Sequence, residues 1–339
     1  MGGDSGPEII MQGITEAKER YPGISYRIFG PFDIIAPLIE NSNELAQCCE
    51  LVDCDSVISG NQSVSQALRQ GRESSMWRAI KSVKDGESHG VVSAGNTGAL
   101  MAMSKLTLRT LQGIDRPAMC SLFPSKSGEI VMLDLGANAV CNERNLVEFA
   151  IMGCCFAKAI GDLTAPQVGL LNIGSEELKG TDTLRNASKI LRETDLDLDF
   201  YGFIEGNDIT LGTVDVVVTD GFSGNIALKT AEGTSKLYTH FLKSAFKSSL
   251  LAKIGYLFVR PALKLVMART DPRKYNGALF VGLNGIVVKS HGGTDALGFS
   301  NAIGVAIDMV ERDLNNTIAD DLINLESRIP VSSKTELLK

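Results

Sequence analysis

Three loops in this chain carry residues able to bind an anion or to stabilise a developing negative charge. The first reads Asn172-Ile173-Gly174-Ser175-Glu176-Glu177-Leu178-Lys179-Gly180-Thr181. Its glycines allow close backbone approach, Thr181 can cap the next helix, and Lys179 stands just ahead of that helix. An ammonium and free helix N–H groups meeting at one spot suit phosphate oxygens. The glycine–lysine–Ser/Thr order of a Walker loop is absent, and Glu176 and Glu177 would repel phosphate unless they turn away or pair with a base. A solvated lysine capping a loop accounts for the same residues. The second loop, Asp220-Gly221-Phe222-Ser223-Gly224-Asn225, follows a strand and opens a helix. Its N–H groups and the Asn225 amide can serve a tetrahedral oxyanion. A tight strand-to-helix turn explains the glycines, but not Asp220 and Asn225 together. In the third, His291-Gly292-Gly293-Thr294-Asp295, an imidazole beside paired glycines can hydrogen-bond phosphate or protonate a departing thiolate.

Each of these loops ends a short β-branched run and starts a helical pattern. The same order recurs at 56–68 (SVISGNQSVSQAL), 90–106 (GVVSAGNTGALMAMSKL) and 130–138 (IVMLDLGAN). Continuous Val/Ile/Leu strands are those covered by helices on both faces, so the alternation predicts an α/β fold with a mostly parallel sheet. In such sheets ligands bind outside the carboxyl ends of the strands. Five loops, with Asn61, Asn96, Asn138, Asn172 and Asn225 at or near their turns, are therefore expected to share one edge and form an anion-friendly floor. Taken singly, each Asn reads as turn chemistry, because Asn tolerates left-handed backbone. The opening Met1-Gly2-Gly3-Asp4-Ser5-Gly6-Pro7 is a loop of the same kind, but no strand precedes it, and a helical pattern follows from Glu8 to Arg20.

Composition narrows the class. The 339 residues, 44% apolar and 22% charged, suit one large soluble α/β unit over residues 1–330 with a polar tail over 331–339. A net charge of −7 argues against wholesale attraction to nucleic acid. Seven cysteines, including two adjacent pairs, fit neither a disulfide framework nor a zinc site, and His89, His240 and His291 are not spaced for metal. They read as small buried thiols in a reducing cytosol. No signal peptide opens the chain and no apolar run is long enough to span a membrane, so a cytosolic or at most peripheral protein is expected.

No acidic residue lies between Glu232 and Asp271. Lys236, His240, Lys243 and Lys247 repeat at helical spacing, and Tyr238, Phe241, Leu242, Ala245 and Phe246 are assigned to the opposite face. The run Leu250 to Arg260 is apolar nearly all round, and Pro261 is expected to break or kink it. Residues 234–275 thus predict a protruding amphipathic helical hairpin. It would serve a membrane surface through Phe241, Phe246 and Leu257, or an acidic partner, or a dimer interface.

Taken in order, MGGDSGP, ESSMWRAI, VVSAGNTGALMA, LDLGAN, NIGSEELKG, EGND, TDGFSGN and HGGTDA resemble the phosphate acyltransferase (PlsX) family, from Met1 to about residue 315. That resemblance implies an α/β/α sandwich similar to isocitrate and isopropylmalate dehydrogenases and to phosphotransacetylases, usually dimeric. It implies transfer of a fatty acyl group from acyl-[acyl carrier protein] to inorganic phosphate, giving acyl phosphate for phospholipid synthesis. The product would pass to a membrane glycerol-3-phosphate acyltransferase (PlsY), and no metal or organic cofactor is expected. The lysine and asparagine tied to activity in the family fall on Lys179 and Asn225. Family members open with a strand ending in Asp-Ala-Met-Gly-Gly-Asp, so the reading here is that a native first strand is missing ahead of Met1.

The mechanism expected from these readings has Lys179 and helix N-termini holding phosphate in line with the thioester. Asn225 and N–H groups around Gly221 to Gly224 would stabilise the oxyanion, with His291 as acid. Asp4, Asn96, Thr97, Asp134, Asn138, Gly174 and Asp220 are expected to line the same cleft. Arg69, Arg72, Lys105 and Arg109 are candidates for docking the acidic carrier. The alternatives are a short acyl-CoA phosphotransacetylase, a decarboxylating NAD dehydrogenase, for which neither GxGxxG nor a metal-carboxylate cluster is visible, and a non-catalytic membrane scaffold.

Overall fold

Five of the six β-branched runs become strands because both of their faces are covered, whereas the run at 56–59 forms only an isolated bridge between Ser56 and Ser74. Along Ile130-Val131-Met132-Leu133 successive side chains alternate between two separate cores, as the period of a strand requires. A computed structural model of the chain describes residues 1, 3–161, 163–194, 198–269 and 271–328, with side chains to residue 323. The tail expected over 331–339 lies outside the described residues. In chain order the elements begin α1 (Gly6–Arg20), β1 (Tyr26–Gly30), α2 (Phe32–Glu40), α3 (Asn43–Cys48), β2 (Cys49–Asp53), α4 (Val64–Gln70), α5 (Ser75–Lys84), β3 (Gly90–Ser93) and α6 (Thr97–Leu108). They continue with β4 (Ala118–Pro124), β5 (Glu129–Leu133), α7 (Glu143–Gly161), β6 (Gln167–Leu171), α8 (Asp182–Glu193), β7 (Asp199–Ile204), α9 (Gly206–Leu211) and β8 (Val216–Val218). Last come α10 (Gly221–Lys247), α11 (Leu250–Arg269), β9 (Ala278–Val281), β10 (Ile286–Lys289), α12 (Ala296–Glu311) and α13 (Leu314–Arg328).

Strands β1 and β2 form a small parallel sheet of their own, and the remaining eight form one sheet in the order β3-β10-β9-β4-β5-β8-β6-β7. One of its cores packs against α7, α8, α12 and α13, and the other against α4, α5, α6, α9 and α10. The chain is therefore layered helix–sheet–helix. A third cluster joins α1, α2 and α3 to α12 around the small sheet.

The sheet is parallel at both flanks and antiparallel in the middle, where β4 meets β5 and β9 and where β9 meets β10. The cause is local. The connections Ser125–Gly128 and Gly282–Gly285 are too short for a crossover, so each makes a hairpin. Positive φ at Gly128, Gly282 and Gly285 turns the chain there.

This pairing corrects the expectation of five loops at one edge. The carboxyl ends of β5, β8, β6 and β7 lie together at one edge of the sheet, whereas β3 and β10 run the other way. The loop holding Asn61 belongs to neither set, since it follows the small sheet.

Helices α10 and α11 pack on each other as a hairpin. On α10 only Gly221 and Gly224 are buried, and α11 buries no residue at all. Helix α11 continues through Pro261 rather than breaking there. The expected separation into a basic and an apolar face also changes. Lys243 and Lys247 lie on the same side as Tyr238, Leu242 and Phe246, while Phe241 points outward, 58% exposed. Among the described residues no helix is long and apolar enough to cross a membrane.

Candidate active site

The carboxyl edge of β5 and β8 is organised by one buried carboxylate. Asp134 accepts hydrogen bonds from the backbone N–H groups of Met119 (2.9 Å), Gly136 (3.1 Å), Ala137 (2.9 Å) and Asn138 (2.6 Å), and from the Asn138 amide (2.9 Å). Burial pushes its carboxyl above the usual range, and the bonds from Ala137, Met119 and Asn138 pull it back down. The Asn138 amide also donates to Pro117 O (2.8 Å), and Asn138 O receives the Gly221 N–H at 2.8 Å. A Cβ on Gly224 would stand 2.0 Å from Asp134 O, and one on Gly221 would stand 2.7 Å from Asn138 O. Four residues expected to line the cleft, Asp134, Asn138, Gly221 and Gly224, are thus buried behind it. They seat the first turn of α10 against the loop after β5.

That turn spends nearly all of its free N–H groups on the protein itself. Gly221 N–H is taken by Asn138, Ser223 N–H by the capping Asp220 carboxylate (2.8 Å), and Gly224 N–H by Asp220 O (2.9 Å). Phe222 N–H is left over, and the exposed Asn225 amide makes no hydrogen bond to any described residue. Gly136 lies against this amide at φ 133°, a backbone that favours glycine, and a Cβ there would lie 3.4 Å from Asn225 Nδ2, in ordinary contact. Two unspent donors therefore sit three residues apart at a helix N-terminus, where the dipole adds positive potential.

The loop after β6 is the neighbour of this turn, because β6 pairs with β8 in parallel. Asn172 ties its base. The amide donates to Lys179 O (3.2 Å), and its oxygen accepts from Ile173 N (2.9 Å). Thr181 caps α8 by accepting from Leu184 N (3.3 Å). Both troublesome acids find bases, as Glu176 faces Lys179 (4.0 Å) and Glu177 faces Arg192 (3.9 Å). The Lys179 side chain is 53% exposed and lies over Gly174, whose absent Cβ would be 3.1 Å from Lys179 Cγ. Its ammonium is weakly committed, since exposed pairs contribute only about 0–1 kcal/mol.

The other expected site residues gather at the opposite edge of the sheet. Asn96 caps α6 by accepting from Ala99 N (3.0 Å) and clamps Gly60 O and Gln62 O with its amide, beside the exposed Thr97. Asp4 N–H donates to Gly292 O at 2.8 Å. His291 Nδ1 accepts from Gly293 N–H (3.1 Å), which puts the proton of the neutral ring on Nε2. Asn276 Oδ1 accepts from His291 N–H at 2.9 Å. No hydrogen bond or ion pair among the described residues joins this cluster to Lys179 or Asn225. Of the five loop asparagines, Asn96, Asn138 and Asn172 serve the turns, Asn61 lies in an exposed turn, and Asn225 has an amide to spare.

Lys289 is a residue that sequence reasoning passed over, although a lysine ending an Ile-Val-Val run was a signal. It is 8% exposed, and its ammonium meets Ser290 O and Ala94 O. Burial lowers it to about 8, with Asp4 pulling the other way. The unfolded chain then binds this proton more tightly than the fold does. The penalty is complete below about pH 8 and fades as pH rises toward the ordinary lysine value of 10.5. Lys289→Met is expected to flatten this gain, which amounts to about 3 kcal/mol at most. Denaturant melts across that range test it, and equal slopes for both proteins would contradict it.

The docking candidates Arg69, Arg72, Lys105 and Arg109 are all exposed at the carboxyl ends of α4 and α6, which contact each other. Arg72 stacks 6.0 Å from the Trp77 ring. None of the seven cysteines forms a disulfide, and burial pushes Cys49 and Cys141 up to about 12. Cys141, whose thiol is 3.8 Å from Asn138 O, is thereby held neutral and makes a poor nucleophile.

A family model described as "Fatty acid synthesis protein" matches residues 1–317. The phosphate acyltransferase of Rhodospirillum rubrum is 56% identical over 326 residues, covering 96% of this chain and 93% of that protein. The phosphate acyltransferase of Paramagnetospirillum magneticum matches at 56% with the same coverage. Among solved structures, the EutD phosphotransacetylase from Staphylococcus aureus aligns with a TM-score of 0.53 at 12% identity, over 89% of this chain and 99% of that one. A branched-chain phosphotransacylase from Enterococcus faecalis aligns at 0.54 and 14%, over 91% and 97%. These two likenesses show the fold alone, and of the fold resemblances expected they bear on the phosphotransacetylase one. The relatives' names and the near full-length identity agree with the sequence motifs, and the chain belongs to the phosphate acyltransferase family, a family of enzymes.

Proposed function

We propose that the chain transfers a long acyl group from an acyl carrier protein thioester to inorganic phosphate, supplying acyl phosphate for phospholipid synthesis. The observation that carries this reading is the pair of unspent donors, Phe222 N–H and the Asn225 amide, beside the loop that bears Lys179. Lys179 holds phosphate, and a phosphate oxygen attacks the thioester carbonyl. The two donors take the charge of the tetrahedral oxyanion, which collapses with loss of the C–S bond. A thiol ionises near pH 8.5, so the leaving thiolate needs no dedicated acid. His291 is assigned a part in ordering the Asp4 loop instead.

The acidic carrier docks on Arg69, Arg72, Lys105 and Arg109. Palmitoyl-carrier protein and phosphate should yield acyl phosphate, trapped as the hydroxamate, and reversing Arg69 and Arg72 to Glu should raise KM for the carrier donor but not for acyl-CoA. Faster reaction with acetyl-CoA than with any carrier donor would favour the short acyl-CoA phosphotransacetylase alternative.

The hairpin is assigned to the inner face of the cell membrane, where the product would be consumed by a membrane acyltransferase, and a homodimer would present two such tips. Phe241, Leu257 and Phe258 are 58%, 65% and 81% exposed, with a run of cations and no acids around them. Phe246 is excluded from this role because it faces inward. Phe241→Ser with Leu257→Ser is expected to reduce co-sedimentation with anionic liposomes by about tenfold, which corresponds to about 1.4 kcal/mol. Unchanged binding would move the hairpin to a dimer interface.

A further inference from the structure

A cavity of about 1170 Å³ lies between the α10–α11 hairpin, α9 and the sheet. Its near end adjoins the candidate site, because Leu171 precedes Asn172 and Ala227 is two residues beyond Asn225. Its floor is Phe123 and Met132, and its wall follows α10 outward through Ala231, Tyr238 and Leu242. No acidic residue lines it. Lys243, Lys247, Lys253, Arg260 and Lys264 do, and stems of this kind can cover an apolar wall while their charged ends stay in water. The lining is mostly apolar, with the cations spread along its hairpin side, which suits a long hydrocarbon chain. From Ala227 to Phe246 the helix rises about 28 Å, far more than a two-carbon acyl group requires.

At the far end the two helices meet in a specific contact. Phe246, near the end of α10, and Tyr256, early in α11, both line the cavity, and their ring centroids are 5.3 Å apart at an interplanar angle of 58°. Aromatic pairs in this geometry are mutually stabilising and fix the spacing of the two helices. We propose that the cavity takes the acyl chain and that the Phe246–Tyr256 pair sets the longest chain accepted. This inference rests on the acyl-transfer reading above. It goes further in naming the space that measures the chain and the residues that end it.

The test uses the full chain and carrier-bound thioesters from four to twenty carbons, with acyl phosphate read as hydroxamate. Phe246→Ala removes the end wall and is expected to raise the rate with the longest donors about tenfold relative to the sixteen-carbon one. Leu242→Trp, at a half-exposed wall position, is expected to cut long-chain rates at least tenfold and leave four-carbon rates within about twofold. If Leu242→Trp fails to fold, Phe246→Ala decides alone. Folded variants that keep the wild-type chain-length profile, or that lose all chain lengths equally, overturn the proposal. A wild-type enzyme that makes no acyl phosphate from any long-chain donor overturns the acyl-transfer reading instead, so the two failures are told apart.

Discussion

Asn225→Ala is expected to lower kcat by about 10²–10³-fold while leaving the melting temperature essentially unchanged. The two halves of this result have separate causes. The amide makes no hydrogen bond within the described fold and its side chain is exposed, so its loss leaves no buried group unsatisfied and should cost stability no more than about 0.5 kcal/mol. On the proposed mechanism the same amide is one of two donors for the oxyanion, in a turn held by Asp134, Asn138 and Asp220. Asn225→Asp tests the sign of the charge. It nearly preserves shape but replaces a donor with an acceptor, and should be at least as damaging as alanine. Asn138→Ala should behave in the opposite way, lowering the melting temperature, because its amide bridges Pro117 O and the Asp134 carboxylate. Wild-type turnover in Asn225→Ala would remove this residue from the chemistry.

Lys179→Ala is expected to lower kcat/KM for phosphate by about 10- to 150-fold, since a hydrogen bond to a charged group contributes about 1.5–3 kcal/mol. Half exposure keeps the figure at this scale, because water screens the attraction. The fold should not suffer, as the only ion pair lost among the described residues is the 4.0 Å contact with Glu176. Glu176→Gln gives the converse check. Releasing the ammonium from its carboxylate should lower KM for phosphate modestly. Steady-state rates at varied phosphate, with carrier donor saturating, separate the two. A Lys179→Ala enzyme with unaltered phosphate dependence would place the anion elsewhere.

Half of the strands and many helix starts were legible because local rules govern them. Val/Ile/Leu runs bounded by Gly and Asn gave β3, β5, β6, β8 and β10, and Ser, Thr, Asn and Asp stood where α4, α5, α6, α8, α10 and α12 are capped. Strand direction was not legible, because it depends on pairing between distant segments. The two short hairpins at Ser125–Gly128 and Gly282–Gly285 reverse the sheet, and with it the edge to which His291 and Asn96 belong. The roles of Asp134 and Asn225 were hidden for a related reason. Both precede or open a helix beside glycines, but only the folded chain shows that one is consumed by backbone N–H groups and the other is free. In the hairpin, the expected faces set Lys243 and Lys247 opposite Phe246, but positions three and four apart on a helix are neighbours, and Lys243, Phe246 and Lys247 line one side.

One measurement bears most directly on whether the loops after β6 and β8 form a single anion and oxyanion site. It is a double-mutant cycle of Lys179→Ala and Asn225→Ala, read as acyl phosphate formed from palmitoyl-carrier protein. Shared contact with one transition state predicts a coupling of about 0.5–3 kcal/mol, so the double variant should lose less than the product of the single losses. Losses that multiply fully would mean that the two side chains act independently, and would contradict a common site.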